Sequence, residues 1–326
     1  MYQQGNNNKS IVVLDTSIAT YNVGDEVIMD AVNNELFTLF SDNRFIRLPT
    51  HEVIHKTGLS YIRRSDFTFL GGSNILSSNM LKYKQWKIMM WQALFIKEKI
   101  TLLGVGWRNY QSAPNFYTRV LLKKILSRDT THSVRDSYTL NFLQELGFTN
   151  VINTSCPTMW NLTAEHCKQI PENKAETVVF TLTDYDKDTR NDTFLIDILL
   201  NNYQYIYFWV QGKNDYHYLH SLVGEKDLER IKIIPPNLKA YDSFLQQNIC
   251  DYVGTRLHGG IRALQNKKRT IIIGIDNRAL EKKKDFNMTV IERNELALLQ
   301  DLINGAIKTI ISIPIEAIES WKSQFK

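Results

Sequence analysis

Short apolar runs alternate along the chain with longer stretches whose apolar residues recur every three or four positions. The run at 10–14 predicts a strand, and the spacing over 25–40 predicts a helix. Runs at 67–70 and 100–105 predict strands that end in glycine, with helical spacing at 81–97, 121–126 and 133–146 and a further strand near Val151. A polar stretch from Lys168 to Thr177, containing Pro171, interrupts the pattern. A second series follows. Strands are predicted at 178–182, 203–210, 231–234, 251–254 and 270–275, and helices at 194–201, 215–222, 240–247 and the C-terminus. Strand–helix alternation predicts parallel sheets with crossover helices. Two such series predict an α/β protein of two Rossmann-like doubly wound domains, 1–168 and 169–326, the last helices packing back on the first. A ligand is then expected between them, beyond the carboxyl ends of the strands.

Two strand-to-helix junctions carry unusual chemistry. Thr255-Arg256-Leu257-His258-Gly259-Gly260 follows the run ending at Gly254, and Thr255 reads as the N-cap. Arg256 and His258 then fall in the first turn, where the helix dipole disfavours cations, and two glycines there each cost roughly 1 kcal/mol. An anion bound at the helix start gives a reason for all three choices. Ser133-Val134-Arg135-Asp136 repeats the anomaly. It reads as a capping box, with Arg135 in the first turn and Gly147 as the stop. Pairing of Arg135 with Asp136 is the ordinary alternative.

Three loops after predicted strands are rich in glycine. Thr20-Tyr21-Asn22-Val23-Gly24-Asp25 offers a tight turn with Asp25 as N-cap. Gly71-Gly72-Ser73-Asn74 and Gly104-Val105-Gly106-Trp107 close the next two strands. None is a G-x-G-x-x-G fingerprint. Their shared sheet edge favours a binding cleft over coincidence.

Composition narrows the classes. Hydrophobic residues make up 43% and charged residues 22%, as in ordinary globular chains. The net charge of +5 reads as spread along the chain, and no dense basic motif suggests nucleic acid. Cys156, Cys167 and Cys250 form no C-x-x-C pair, so neither a zinc site nor a disulfide framework is expected. The polar start at 1–8 lacks a signal-peptide core, and the apolar stretch 88–96 is too short to span a bilayer. It reads as a core helix, with an interfacial helix as the alternative. His217 and His220 have H-x-x-H spacing without an acidic partner. Cys156 has no identifiable base, and Asp184, Asp186 and Asp188 read as a solvated loop. No metal is expected.

In order and spacing, Asn22-x-Gly24-Asp25, Gly71-Gly72-Ser73, Ser133-Val134-Arg135-Asp136 and Thr255-Arg256-Leu257-His258-Gly259 resemble the polysaccharide pyruvyl transferase family. The resemblance runs from about residue 11 to residue 285. It implies two Rossmann-like domains in a GT-B-like arrangement. It also implies transfer of the enolpyruvyl-derived group of phosphoenolpyruvate to sugar hydroxyls, giving a pyruvate ketal. Arg135 and Arg256 would then bind the donor's phosphate and carboxylate, with His258 beside them. Because histidine titrates near neutrality, His258 is the candidate general acid or phosphate ligand; no motif marks a base, for which Asp25 is the candidate. Asn22, Gly24, Gly71, Gly72, Ser73, Asn74, Gly106, Trp107, Thr255, Leu257 and Gly259 would line the substrates. No cofactor is implied. The acceptor would be a sugar or a lipid-linked glycan, and the protein would work in the cytoplasm, with contact at the inner membrane face left open. Two positions depart from the family: Cys156-Pro157 stands where many relatives have Asp-Pro, and no proline follows Gly106-Trp107. The competing readings are a GT-B glycosyltransferase using a nucleotide sugar and a non-catalytic glycan- or anion-binding homologue.

Overall fold

A computed structural model describes residues 8–326; the polar start at residues 1–7 lies outside them. The chain forms two compact units. One comprises the described residues up to Thr20, with Ile28–Pro157 and Pro314–Lys326; the other comprises Tyr21–Val27 and Thr158–Ile313. The division at Pro157 falls ahead of the polar stretch near Lys168, where the sequence suggested a break.

In the first unit the order is β1 (Ser10–Asp15), α1 (Val23–Leu39), β2 (Arg44–Pro49), α2 (Lys56–Arg64), β3 (Phe67–Gly71), α3 (Met90–Ile96), β4 (Ile100–Leu103), α4 (Phe116–Ile125), β5 (His132–Val134), α5 (Ser137–Glu145) and β6 (Val151–Asn153). The first four strands form a parallel sheet in the order β2-β1-β3-β4. The parallel pair β5-β6 is joined to its β4 side by a bridge from Val105 to Val134. Strand β1 is central because Ile11, Val12, Val13 and Leu14 are all buried, as a parallel strand covered on both faces requires.

Gly71 and Gly72 serve packing. A Cβ at Gly71 would sit 2.9 Å from Met29 Sδ and Val32 Cγ1. Gly72, at φ +54°, lies against Ile28 on the same helix. Close approach of α1 to the sheet therefore accounts for both glycines, which the sequence had assigned to ligand contact. The helix expected over 81–97 is also shorter, at Met90–Ile96. Trp86 and Ile88 enter the core ahead of it, and Gln92 Oε1 accepts the Met89 N–H at 2.6 Å, which starts the helix there.

The second unit contains α6 (Ala164–Cys167), β7 (Thr177–Thr181), α7 (Thr189–Asn202), β8 (Tyr205–Trp209), α8 (Asp215–Leu222), α9 (Glu225–Leu228), β9 (Ile231–Ile234), α10 (Leu238–Gln247), β10 (Asp251–Gly254), α11 (Leu257–Gln265), β11 (Thr270–Gly274), α12 (Asn277–Phe286), β12 (Val290–Glu292) and α13 (Leu299–Asn304). Its six strands are all parallel, in the order β9-β8-β7-β10-β11-β12. That is the doubly wound dinucleotide-fold order, with its switch point between β7 and β10. Ligands of such sheets sit beyond the carboxyl ends at that point, so the loops after β7 and β10 are the place to look.

The last helix, α14 (Ile315–Ser323), belongs to the first unit. Trp321 Nε1 donates to Thr131 O at 2.8 Å, and the Phe325 ring lies 5.2 Å from Phe69 and 5.3 Å from Phe67. Among the described residues no helix is long and apolar enough to cross a membrane.

Candidate functional site

At the switch point of the second sheet, Thr255 is not the helix cap. Its hydroxyl pairs with Thr183 Oγ1 at 2.8 Å across β7 and β10, and its N–H donates to Thr181 O. The N-cap is Arg256, in extended conformation and without a side-chain cap bond. Leu257, His258 and Gly259 therefore open α11, and the first backbone bond of the turn runs from Gly260 N to Arg256 O. The capping position thus supplies the first turn with no side-chain acceptor.

The Arg256 side chain is only 3% exposed. Nε donates to Leu182 O at 3.0 Å and Asp215 Oδ2 at 3.1 Å, and Nη2 donates to Asp184 Oδ1 at 2.9 Å and to Asp215 Oδ1. Nη1 has no hydrogen-bond partner among the described residues. The Tyr185 ring lies 5.0 Å from the guanidinium carbon, and its hydroxyl accepts from Arg278 Nη2 at 2.6 Å. Burial works against the cation, but Asp215, Tyr185 and Asp184 outweigh it, and the Arg256 pKa is raised. Burial pushes the Asp215 carboxyl up, opposed by Arg256 and by the Gly212 N–H that it accepts at 2.7 Å. A buried pair of this kind contributes little net stability, yet removing one partner is costly.

Gln211, in the loop just after β8, ties two of the sequence motifs together. Its Nε2 donates to Asn22 Oδ1 at 3.0 Å, and its carbonyl accepts the Val23 N–H at 3.0 Å. A Cβ at Gly24 would fall 2.6 Å from Gln211 Nε2, and one at Gly259 would fall 3.1 Å from Gln211 Oε1. The Asn22 turn and the start of α11 thus meet on one side chain, so both glycines keep the space clear. Asn22 takes the capping position, its Oδ1 accepting the Gly24 N–H at 3.1 Å. Asp25, expected as the N-cap, is a buried residue within the first turn of α1. Below α11, Tyr241 donates to Gly259 O at 2.9 Å and Tyr252 to Arg256 O at 2.7 Å. His258 is also buried, one residue into the helix.

In the first unit Ser133 lies in β5 and is no cap, because its hydroxyl is taken by the Gly104 N–H at 2.9 Å. Asp136 caps α5, Oδ1 accepting from Thr139 N at 2.8 Å. Its Oδ2 accepts from Arg135 Nε at 2.8 Å, so the ordinary pairing of Arg135 is present, and it is buried. Arg135 Nη2 donates to the Trp107 carbonyl at 2.9 Å. Any Cβ on Gly106 would collide with that guanidinium. The Trp107 ring, expected beside a ligand, is a core group: it stacks 4.7 Å from Phe142, and Nε1 donates to Ser78 Oγ. Gly106 N donates to the carbonyl of Ser73, which has φ +67°, and half-buried Asn74 follows.

The weaker candidates resolve. His217 and His220 are exposed on α8, where His220 packs 4.3 Å from Tyr216. The three aspartates after β7 are not merely solvated. Asp184 pairs with Arg256, Asp186 with Arg293 at 3.4 Å, and Asp188 caps α7. Cys156 is a free, buried thiol. Among the described residues no three His, Cys, Asp or Glu side chains cluster as metal ligands would. Gln211, Asp215, Asp184 and Tyr185 join the site although no local motif marks them.

The sequence model of the family described as polysaccharide pyruvyl transferase matches residues 22–277, from the Asn22 turn through both arginine junctions. The chain belongs to this family. Its members are transferases of polysaccharide modification. No curated protein matches the sequence. Among solved structures, the UDP-GlcNAc 2-epimerase of Methanocaldococcus jannaschii, in complex with UDP-GlcNAc and UDP, is similar over 97% of this chain and 98% of its own, with TM-score 0.54 and 12% identity. The S. aureus MnaA–UDP co-structure is similar over 92% of each chain, with TM-score 0.52 and 10% identity. A putative UDP-N-acetylglucosamine 2-epimerase from Listeria monocytogenes covers 97% of this chain and 91% of its own, with TM-score 0.51 and 9% identity. At these identities the likeness establishes the fold, two Rossmann-like units, and nothing of the substrate.

Proposed function

We propose that this pyruvyl transferase family member takes its group from phosphoenolpyruvate and forms a pyruvate ketal on sugar hydroxyls of a polysaccharide precursor. The observation that carries the reading is the start of α11. An uncapped helix end, the unpaired Nη1 of an otherwise fixed Arg256, and His258 in the first turn suit one anionic group of such a donor. The carboxylates on Nε and Nη2 hold the guanidinium in place, so no reorganisation is needed when an anion arrives. The reaction adds a proton to the methylene carbon and a sugar hydroxyl to the adjacent carbon. A second hydroxyl of the same sugar then displaces phosphate, closing the ketal. His258 is the proposed proton donor or phosphate ligand, and Asp25 the proposed base. Arg135 has a donor-binding role in the same reading.

Thermal stabilisation tests it. Ligand at a hundredfold excess over its dissociation constant adds ~2.7 kcal/mol. Stabilisation by phosphoenolpyruvate, and not by pyruvate or UDP-sugars, is expected, with the shift lost in His258→Asn. Stabilisation by UDP-sugars alone would replace the reading with a nucleotide-sugar enzyme on the same fold.

A further inference from the structure

The charge of this chain is not evenly spread. Between Val53 and Arg128 stand thirteen lysines and arginines against two acids, Asp66 and Glu98; the rest of the chain carries 26 basic residues against 32 acidic. That segment spans α2, α3 and α4, and α3 packs against both of the others. On α3, Trp91, Leu94 and Phe95 stand at helical spacing on one face and are 43%, 60% and 47% exposed. A cleft of about 410 Å³ opens between α2 and α3, walled by Leu59, Trp91 and Phe95 together with Lys56 and Arg63. On the other flank Leu94 lines a second depression with Lys97 and Lys124.

We propose that this face docks on an anionic lipid bilayer, with Trp91, Leu94 and Phe95 entering the headgroup boundary and the flanking lysines and arginines meeting lipid phosphates. An apolar ridge edged on both sides by cations is the pattern of an interfacial helix, and aromatic residues favour that depth. Charge decides the occupant. A second copy of the same face would set cations against cations, whereas an anionic leaflet attracts each nearby Lys or Arg. Glu98 does not alter the balance, since it pairs with Arg128 at 3.1 Å. The inference is independent of the donor assigned above.

Vesicle co-sedimentation of the full chain tests it. Binding to phosphatidylcholine mixed with phosphatidylglycerol is expected, with little to phosphatidylcholine alone and a decline as salt rises. The double variant Leu94→Glu/Phe95→Glu should bind at least about tenfold more weakly, and Lys56→Glu/Arg63→Glu similarly, by removal of ~1 kcal/mol per basic residue. All four positions are exposed, so circular dichroism and thermal midpoints should match the wild type. Failure of the wild type to bind mixed vesicles, or equal binding by the variants, overturns the proposal. So does sedimentation as a dimer that Leu94→Glu/Phe95→Glu converts to monomer. Loss of vesicle binding with phosphoenolpyruvate stabilisation retained would separate the two readings.

Discussion

Gly212 lies against the guanidinium of Arg256, so closely that a methyl group on it would take the place of Nη2. The arginine is held through Nε and Nη2 by Asp215, Asp184 and Leu182 O. Gly212→Ala is therefore expected to push the guanidinium off Asp215 and leave a buried carboxylate without its cation. The expected cost is about 3 kcal/mol, read by denaturant unfolding, with loss of stabilisation by phosphoenolpyruvate. Wild-type stability in this variant would show that the arginine has another place to go.

Arg256→Ala removes more than an anion ligand. It strands Asp215, and about 3–5 kcal/mol of stability should go with it. Arg256→Lys keeps a cation but loses the planar fork, so it should stay better folded while phosphoenolpyruvate binding weakens at least about tenfold. Equal stability of the alanine and wild-type proteins would contradict the buried pair.

His132 sets a pH limit on the first unit. Its Nδ1 accepts the Leu102 N–H at 3.1 Å, so Nε2 carries the proton and donates to Ser127 O at 2.8 Å. Burial, opposed by the Ser127 carbonyl, lowers its pKa to about 4, against about 6.5 in the unfolded chain. The unfolded chain then binds the extra proton between those values. Stability is complete above about pH 6.5 and declines by ~3 kcal/mol as pH falls towards about 4. In His132→Gln the slope of unfolding free energy over this window should flatten; an unchanged slope would assign the loss to other groups.

Phe325 closes the aromatic cluster of the first unit with Phe40, Phe67, Phe69 and Trp321. Lys322 anchors the same helix on Glu35 at 2.7 Å. Phe325→Ala should cost about 3 kcal/mol. A change below about 0.5 kcal/mol would mean that the helix end does not complete this core.

Much of this architecture is written locally. Asp215–Leu222 and Ile231–Ile234 match their expected bounds because helical spacing of Tyr218, Leu219 and Leu222, or a short, mostly apolar run, states them outright. Strand β2 escapes notice because Arg44-Phe45-Ile46-Arg47-Leu48-Pro49 is a half-exposed edge whose arginines mask the run. The α11 cap misleads because Thr255 is an excellent cap by type, yet its hydroxyl bonds across the sheet to Thr183, 72 positions away. Gln211 is illegible for a similar reason: its partner Asn22 lies 189 residues earlier. The Arg256 anomaly was readable as chemistry, but only tertiary contact reveals Asp184 and Asp215 as its holders.

The docking of α14 also fixes an order of events at the ribosome. Phe67 and Phe69 of β3, translated long before α14, await Trp321 and Phe325 before their aromatic cluster is closed. Every partner of the second sheet, from Thr177 to Glu292, has already been made by then. The first unit is thus sealed last, and a nascent chain halted before residue 314 would hold every strand of the second sheet while the aromatic face of the first unit was still open.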